Sequence, residues 1–176
     1  MVATMGDVEA TEQQVSNHIL SDKWVLWAHL PHDTDWSLNS YIRIHTADTV
    51  ESAIALVEAL PDALVRNCML FMMREGIHPT WEDPQNREGG CFSYKVNNKQ
   101  VPNAWKSLSL CIVGETAAID PKVSANITGI TISPKKQFCI IKIWMSTCKY
   151  QNPDSIKNIR GLTSQGCLFK KQTPEY

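Results

Sequence analysis

Ile127-Thr-Gly-Ile-Thr-Ile132, then Ser133-Pro-Lys-Lys-Gln137, then Phe138-Cys-Ile-Ile-Lys-Ile-Trp-Met145 is the stretch from which the architecture follows. Two runs rich in β-branched residues flank a short polar segment, the pattern of a β-hairpin. Moving toward the N-terminus, Pro102 opens a helix through Val113 that Gly114 stops, and Phe92-Ser-Tyr-Lys-Val96 alternates like a strand with one wet face. Met69-Leu-Phe-Met-Met73 reads as a buried strand, and Lys23-Trp-Val-Leu-Trp-Ala-His29 and Tyr41-Ile-Arg-Ile-His45 as two more. Asp48-Thr-Val-Glu51 predicts a helix start, with Asp48 as N-cap and Glu51 reaching back from N3. Val50, Ile54, Val57 and Leu60 share one face of that helix, and Pro61 follows it. Toward the C-terminus, Asn152-Pro153 predicts a short helix ending at Gly161, and Gly166-Cys-Leu-Phe-Lys170 a closing strand. Hairpins interleaved with helical crossovers predict an α+β fold, a mostly antiparallel sheet with helices packed on one face.

Residues 1–16 are polar, acidic and aperiodic and read as a flexible tail, which leaves 17–176 as a single domain. A chain of 176 residues that is 43% hydrophobic is long enough for a real core. A net charge of −1 excludes a generic phosphate-coating protein, which would be basic. No apolar run approaches the roughly 18–20 residues of a membrane span, and no secretory signal opens the chain, so no membrane partner is expected. The six Cys form no C-x-x-C pair and sit mostly in apolar runs, which fits reduced thiols in a cytoplasmic protein. His29-Leu-Pro-His32 is the nearest thing to a ligand pair, and its Pro makes it a turn, so neither a metal nor a cofactor is expected.

Six Trp against four Phe and four Tyr is an unusual balance. Trp24, Trp27 and Trp105 lie among aliphatics and read as core. Trp36 follows a polar His-Asp-Thr-Asp segment, Trp81 sits in Pro79-Thr-Trp-Glu-Asp-Pro84, and Trp144 ends an Ile-rich strand before Ser146-Thr147. An indole on a polar loop is well placed to stack on a flat ligand, preferably a cationic one. A carboxylate beside it, Glu82, can accept two adjacent in-plane N–H donors such as those of guanine. The competing reading makes Trp81 a rim-packing ring and Glu82 an ordinary exposed acid. An enzyme acting on nucleotides would need more clustered carboxylates than Glu82-Asp83, so no catalytic residue is expected.

At these residues the sequence resembles the eukaryotic translation initiation factor 4E family, which binds the 7-methylguanosine 5′ cap of messenger RNA. The resemblance runs from about Asp22 to about Phe169. It rests on Trp24-Val-Leu-Trp27, Asp48-Thr-Val-Glu51, Gly76-Ile-His-Pro-Thr-Trp-Glu-Asp83, Asn86-Arg-Glu-Gly-Gly90, Ala104-Trp105, Leu110-Cys-Ile-Val-Gly-Glu115 and Ile141-Lys-Ile-Trp144. It implies a curved sheet with helices on its convex face and a cap slot on its concave side. In that slot Trp36 and Trp81 would sandwich the methylated base. Glu82 would accept its N1 and N2 protons, the Trp81 backbone N–H would serve O6, and Trp144 would pack against the N7 methyl. On the convex face His18, Val50, Leu110 and Gly114 match positions that take a helical segment of scaffold or repressor proteins.

The departures are specific. Ser133 stands where the family places an Arg on the cap phosphates, Ile140 replaces a family Lys, and Cys91 replaces a basic residue. Lys142, which alternation puts on the face of Trp144, is the candidate substitute, with Lys135 and Lys136 as helpers. On the partner face Ile54 replaces an anchoring Trp, and Lys106 puts a charge in an apolar groove, so a non-standard partner motif is expected. This is the pattern of a divergent paralogue, of the kind kinetoplastid protozoa carry. The alternative reading is a protein-interaction subunit or translational repressor with the same fold and weak cap affinity.

Overall fold

The computed structural model describes residues 17–172, so the expected tail at 1–16 and residues 173–176 lie outside the described residues. Seven strands build one antiparallel sheet: β1 (Ile19–His29), β2 (Tyr41–Thr49), β3 (Met69–Arg74), β4 (Gly90–Asn97), β5 (Ile127–Pro134), β6 (Phe138–Met145) and β7 (Leu168–Lys171). Their spatial order is β2-β1-β3-β5-β6-β4-β7. Four α-helices, α1 (Val50–Ala59), α2 (Asp62–Asn67), α3 (Val101–Val113) and α4 (Pro121–Ser124), fill the connections. The main core lies between one sheet face and these helices. Trp24, Leu26, Leu70, Met72, Phe92, Ile130 and Ile141 from the strands meet Ala53 and Val57 of α1 and Trp105, Leu108 and Ile112 of α3.

The hairpin forms as read, closed by Lys135 N–H donating to the Phe138 carbonyl at 2.8 Å, and Ser133 and Pro134 extend β5 into the ladder. Other local details differ from expectation. Helix α1 starts one residue later, because Thr49 still pairs with Ile19 in the β1–β2 ladder. The reciprocal cap is therefore between Thr49 and Ser52, and Glu51 turns outward to His18. The helix expected from Asn152 to Gly161 is only a 3-10 turn, Pro153–Ser155. Beyond it the backbone binds residues 117–119 in strand fashion, with Lys157 N–H donating to the Ala117 carbonyl at 2.8 Å and Ile119 N–H to that of Ser155 at 3.0 Å.

The expectation of a curved sheet with convex and concave faces is corrected: the sheet is open, with β2 and β7 as edges, and is not strongly curled. Register breaks, which bend sheets, occur only between β1 and β2 and at the start of the β5–β6 ladder. The β1–β3, β3–β5, β4–β6 and β4–β7 ladders run without a break. The two faces are described below as helix-covered and open.

Candidate functional site

Strand alternation decides which side chains reach the open face. Trp27 pairs with Phe71, Phe71 with Thr131, Thr131 with Lys142, and Lys142 with Ser93. The adjacent row runs from Val25 through Met73, Gly129 and Trp144 to Cys91 and Lys170. Tyr41, Phe71, Met73, Cys91 and Trp144 form a second, smaller apolar cluster there, with Trp27, Met69 and Ile77 packed on it. Trp27 thus belongs to this cluster, while Trp24 and Trp105 are in the main core. Trp144 is only 7% exposed, and its indole N–H has no partner.

Two loops overhang this face. In the first, Asp33 and Asp35 fold the chain through side-chain bonds. Asp33 Oδ1 accepts from Asp35 N–H at 2.9 Å, and Asp35 accepts from the Ser37 N–H at 2.8 Å and hydroxyl at 2.9 Å. The two Ser37 donors hold the Asp35 carboxyl below its usual range, with a smaller contribution from His29. This loop presents Trp36, 57% exposed, stacked parallel on His29 with ring centroids 4.1 Å apart. His29 is edge-on to Tyr41, and Tyr41 to Phe71, so a continuous pile of rings joins the loop to the sheet.

In the second loop the neighbouring acids separate by role. Asp83 turns inward, accepting from the N–H groups of His78 and Gln85 at 2.9 Å each and lying 3.0 Å from His78 Nδ1. The Asn86 amide donates to the carbonyls of His78 at 3.1 Å and Thr80 at 2.8 Å. With these groups bonded from inside, the loop exposes Trp81 (52%) and Glu82. Burial raises the Tyr41 hydroxyl pKa, and the Glu82 charge raises it further.

Lys142 is half-buried on the open face, whereas Lys135 and Lys136 are exposed at the hairpin tip. Lys170, not expected at this face, lies in the same row as Trp144, opposite Cys91. Both Lys142 and Lys170 act electrostatically on the Cys91 thiol, although burial dominates and raises its pKa. Leu168-Phe-Lys-Lys171 carries no alternation, and the face of Lys170 is fixed only by its register opposite Cys91. His29 and Tyr41 look like ordinary strand residues in sequence, and only the pile of rings gives them a part in the site.

The residues expected to bind a partner lie on the helix-covered side. The His18 carbonyl accepts from Val50 N–H at 2.8 Å, and its ring lies 2.6 Å from Glu51. Val50 and Ile54 are exposed on α1, Leu110 is half-buried on α3, and Gly114 caps α3. Lys106 is ion-paired with Glu58 across α1 and α3, so its charge does not enter that surface alone. All six cysteines are free, and no cluster of His, Cys, Asp or Glu among the described residues is placed to hold a metal. No helix among the described residues is long and apolar enough to cross a membrane.

A helix-backed antiparallel sheet whose other face carries exposed indoles on two braced loops defines a binding module. The chain belongs to the eukaryotic initiation factor 4E family, whose model matches residues 19–174. With that membership come translation initiation, cap-binding, RNA-binding and protein biosynthesis, and a role without catalysis. Among similar sequences, eukaryotic translation initiation factor 4E-1A of Danio rerio is 30% identical, over 86% of this chain and 74% of that protein. Eukaryotic translation initiation factor 4E of Homo sapiens is 28% identical with the same coverage. Among solved structures, Caenorhabditis elegans eIF4E-3 in complex with the 4E-binding protein Mextli and a cap analog superposes with a TM-score of 0.68 at 24% identity, covering 76% of each chain. Ascaris suum eIF4E-3 with an m7G cap gives a TM-score of 0.67 at 25% identity, covering 76% of this chain and 77% of that one. Such distances suit a divergent member, and these relatives lend no support to a kinetoplastid origin.

Proposed function

We propose that this chain, as one cap-binding domain over 17–176, binds the 7-methylguanosine 5′ cap of messenger RNA and acts in translation initiation or its regulation in the cytoplasm. Trp36 and Trp81 sandwich the methylated base, Glu82 accepts its N1 and N2 protons, and Trp144 packs on the N7-methyl side. The observation that carries this reading is the pair of half-exposed indoles on loops braced from inside, one of them beside an outward carboxylate that acts on Tyr41. Methylation makes the base cationic, so indole faces favour it over guanine, and Glu82 completes the charge balance. Lys142 and Lys170, with Lys135 and Lys136 at the hairpin tip, are the cations available to the phosphates. A scaffold or repressor segment of non-standard sequence docks on the helix-covered face through His18, Val50, Ile54, Leu110 and Gly114, a reading supported by relatives solved in complex with 4E-binding proteins.

The test is a fluorescence titration with 7-methyl-GTP and GTP. The wild type is expected to prefer the methylated nucleotide strongly. Trp81→Ala should weaken it by roughly 10- to 100-fold, from about 1–3 kcal/mol of lost stacking. Glu82→Gln should cost a similar factor, from about 1.5–3 kcal/mol for a hydrogen bond to a charged group. Equal affinity for the two nucleotides would sink the cation-sandwich account.

A further inference from the structure

We propose that His29, the ring behind Trp36, is a positioning residue that sets how strongly the slot separates a cationic from a neutral base. The inference rests on the cap-binding reading and goes beyond it, because His29 touches no ligand there. His29 is 2% exposed, and its Nε2 lies 2.7 Å from the carbonyl oxygen of Asp35. A carbonyl only accepts, so Nε2 carries the hydrogen, and further protonation falls on Nδ1 without breaking this bond. The same bond anchors the residue preceding Trp36, so His29 fixes both the indole's backbone and one of its faces. Only the opposite face of Trp36 is left for a base.

Neutral imidazole leaves the indole electron-rich and suited to a cation. Imidazolium draws density from the indole and places a positive charge behind it. A base stacked on the far face would sit about 7–8 Å from that charge at ordinary ring separations. At that distance, in a partly screened site, repulsion changes the affinity of a singly charged base by about five- to tenfold, while a neutral base is largely spared. Among the described residues, few other groups face His29. Asp35 is the one carboxylate on its own loop whose charge couples to it. Tyr41 of β2 meets it edge-on at 5.2 Å, and the Cys68 thiol before β3 donates to its carbonyl at 3.4 Å. The Glu82 charge acts on Tyr41, the ring next to His29.

The experiment measures the affinity ratio of 7-methyl-GTP to GTP from about pH 8 to about pH 5.5 in the wild type, His29→Phe and His29→Gln. Phenylalanine keeps a ring behind Trp36, and glutamine keeps an N–H for Asp35; neither titrates. The nucleotides' own ionisation is common to all three proteins, so the difference between profiles belongs to His29. The wild-type ratio should fall about five- to tenfold further on acidification than that of either variant. In the unliganded protein, acid should quench a share of the indole emission that both His29→Phe and Trp36→Phe lack. One shared pH profile for wild type and variants overturns the proposal and leaves cap binding standing. A wild type that binds no methylated nucleotide at any pH overturns the cap-binding reading and this inference together.

Discussion

Among the described glycines, Gly89 has the least room for a side chain. A Cβ there would lie 1.7 Å from the Met145 carbonyl oxygen, a backbone atom with no side-chain slack to give. Gly89→Ala should therefore push the start of β4 away from the end of β6 and cost at least about 2 kcal/mol, in the range of overpacking and strain. A urea unfolding curve measures this directly, and a midpoint unchanged from wild type would contradict the close approach. At this scale the sequence was partly legible. Trp36, Trp81 and Glu82 stood out because an indole beside polar neighbours departs from the usual pattern. The division between Glu82 and Asp83 did not, because two adjacent carboxylates look alike until the loop supplies donors to one of them. His29 was hidden for a similar reason: a strand His is chemically silent in sequence, and the ring it meets is on the following loop.

Helix α1 shows what was readable among the elements. Its existence and length followed from spacing, but its buried face did not: Ala53 and Val57 turn inward, while Val50 and Ile54 of the expected face are exposed. Its first residue also differs, because the ladder with β1 competes with the helix for Thr49. The cap makes a prediction. Ser52→Ala removes the acceptor for Thr49 N–H at 3.1 Å and for Asp48 N–H at 3.2 Å. It should destabilise the protein by about 1 kcal/mol, the usual worth of a capping side chain, read as a lower urea midpoint at unchanged slope. The short helix after Asn152 was misread because its start signal is genuine, with the Asn152 side chain accepting from Asp154 N–H at 3.0 Å. Pairing with residues 117–119, far away in sequence, then overrides local preference. Helix α2, six residues after Pro61, carries too short a period to be seen.

For the whole molecule, the ionisable groups with shifted values divide unequally between acid and alkali. Burial raises the thiols of Cys68, Cys91, Cys139 and Cys167 and the hydroxyls of Tyr41 and Tyr94 above their ordinary values. Each folded-state value exceeds the unfolded one, so each contribution is complete below the unfolded pKa and fades as pH rises through the folded one. Stability should thus begin to fall near pH 9.0, the ordinary thiol value, and fall further above 10.0, that of tyrosine. On the acid side, the Glu51 carboxyl, lowered mainly by its hydrogen bond to the His18 ring, loses its contribution as pH falls through its folded value. Thermal unfolding from neutral to alkaline pH checks this, and a flat midpoint past pH 10.0 would refute it. The sheet order has a consequence for how the chain comes off the ribosome. Strand β4 pairs only with β6 and β7, both synthesised later, and the Gln172 N–H donates to the Gly89 carbonyl at 3.0 Å. The loop carrying Trp81 and Glu82 hangs from β3 at one end and waits at the other for its anchor. A nascent chain can assemble β1, β2 and β3 early, yet this loop gains a paired far end only once β6 has been made, and its full anchor only with β7. The loop proposed to read the base is thus fixed late in biogenesis, after most of the sheet has been made.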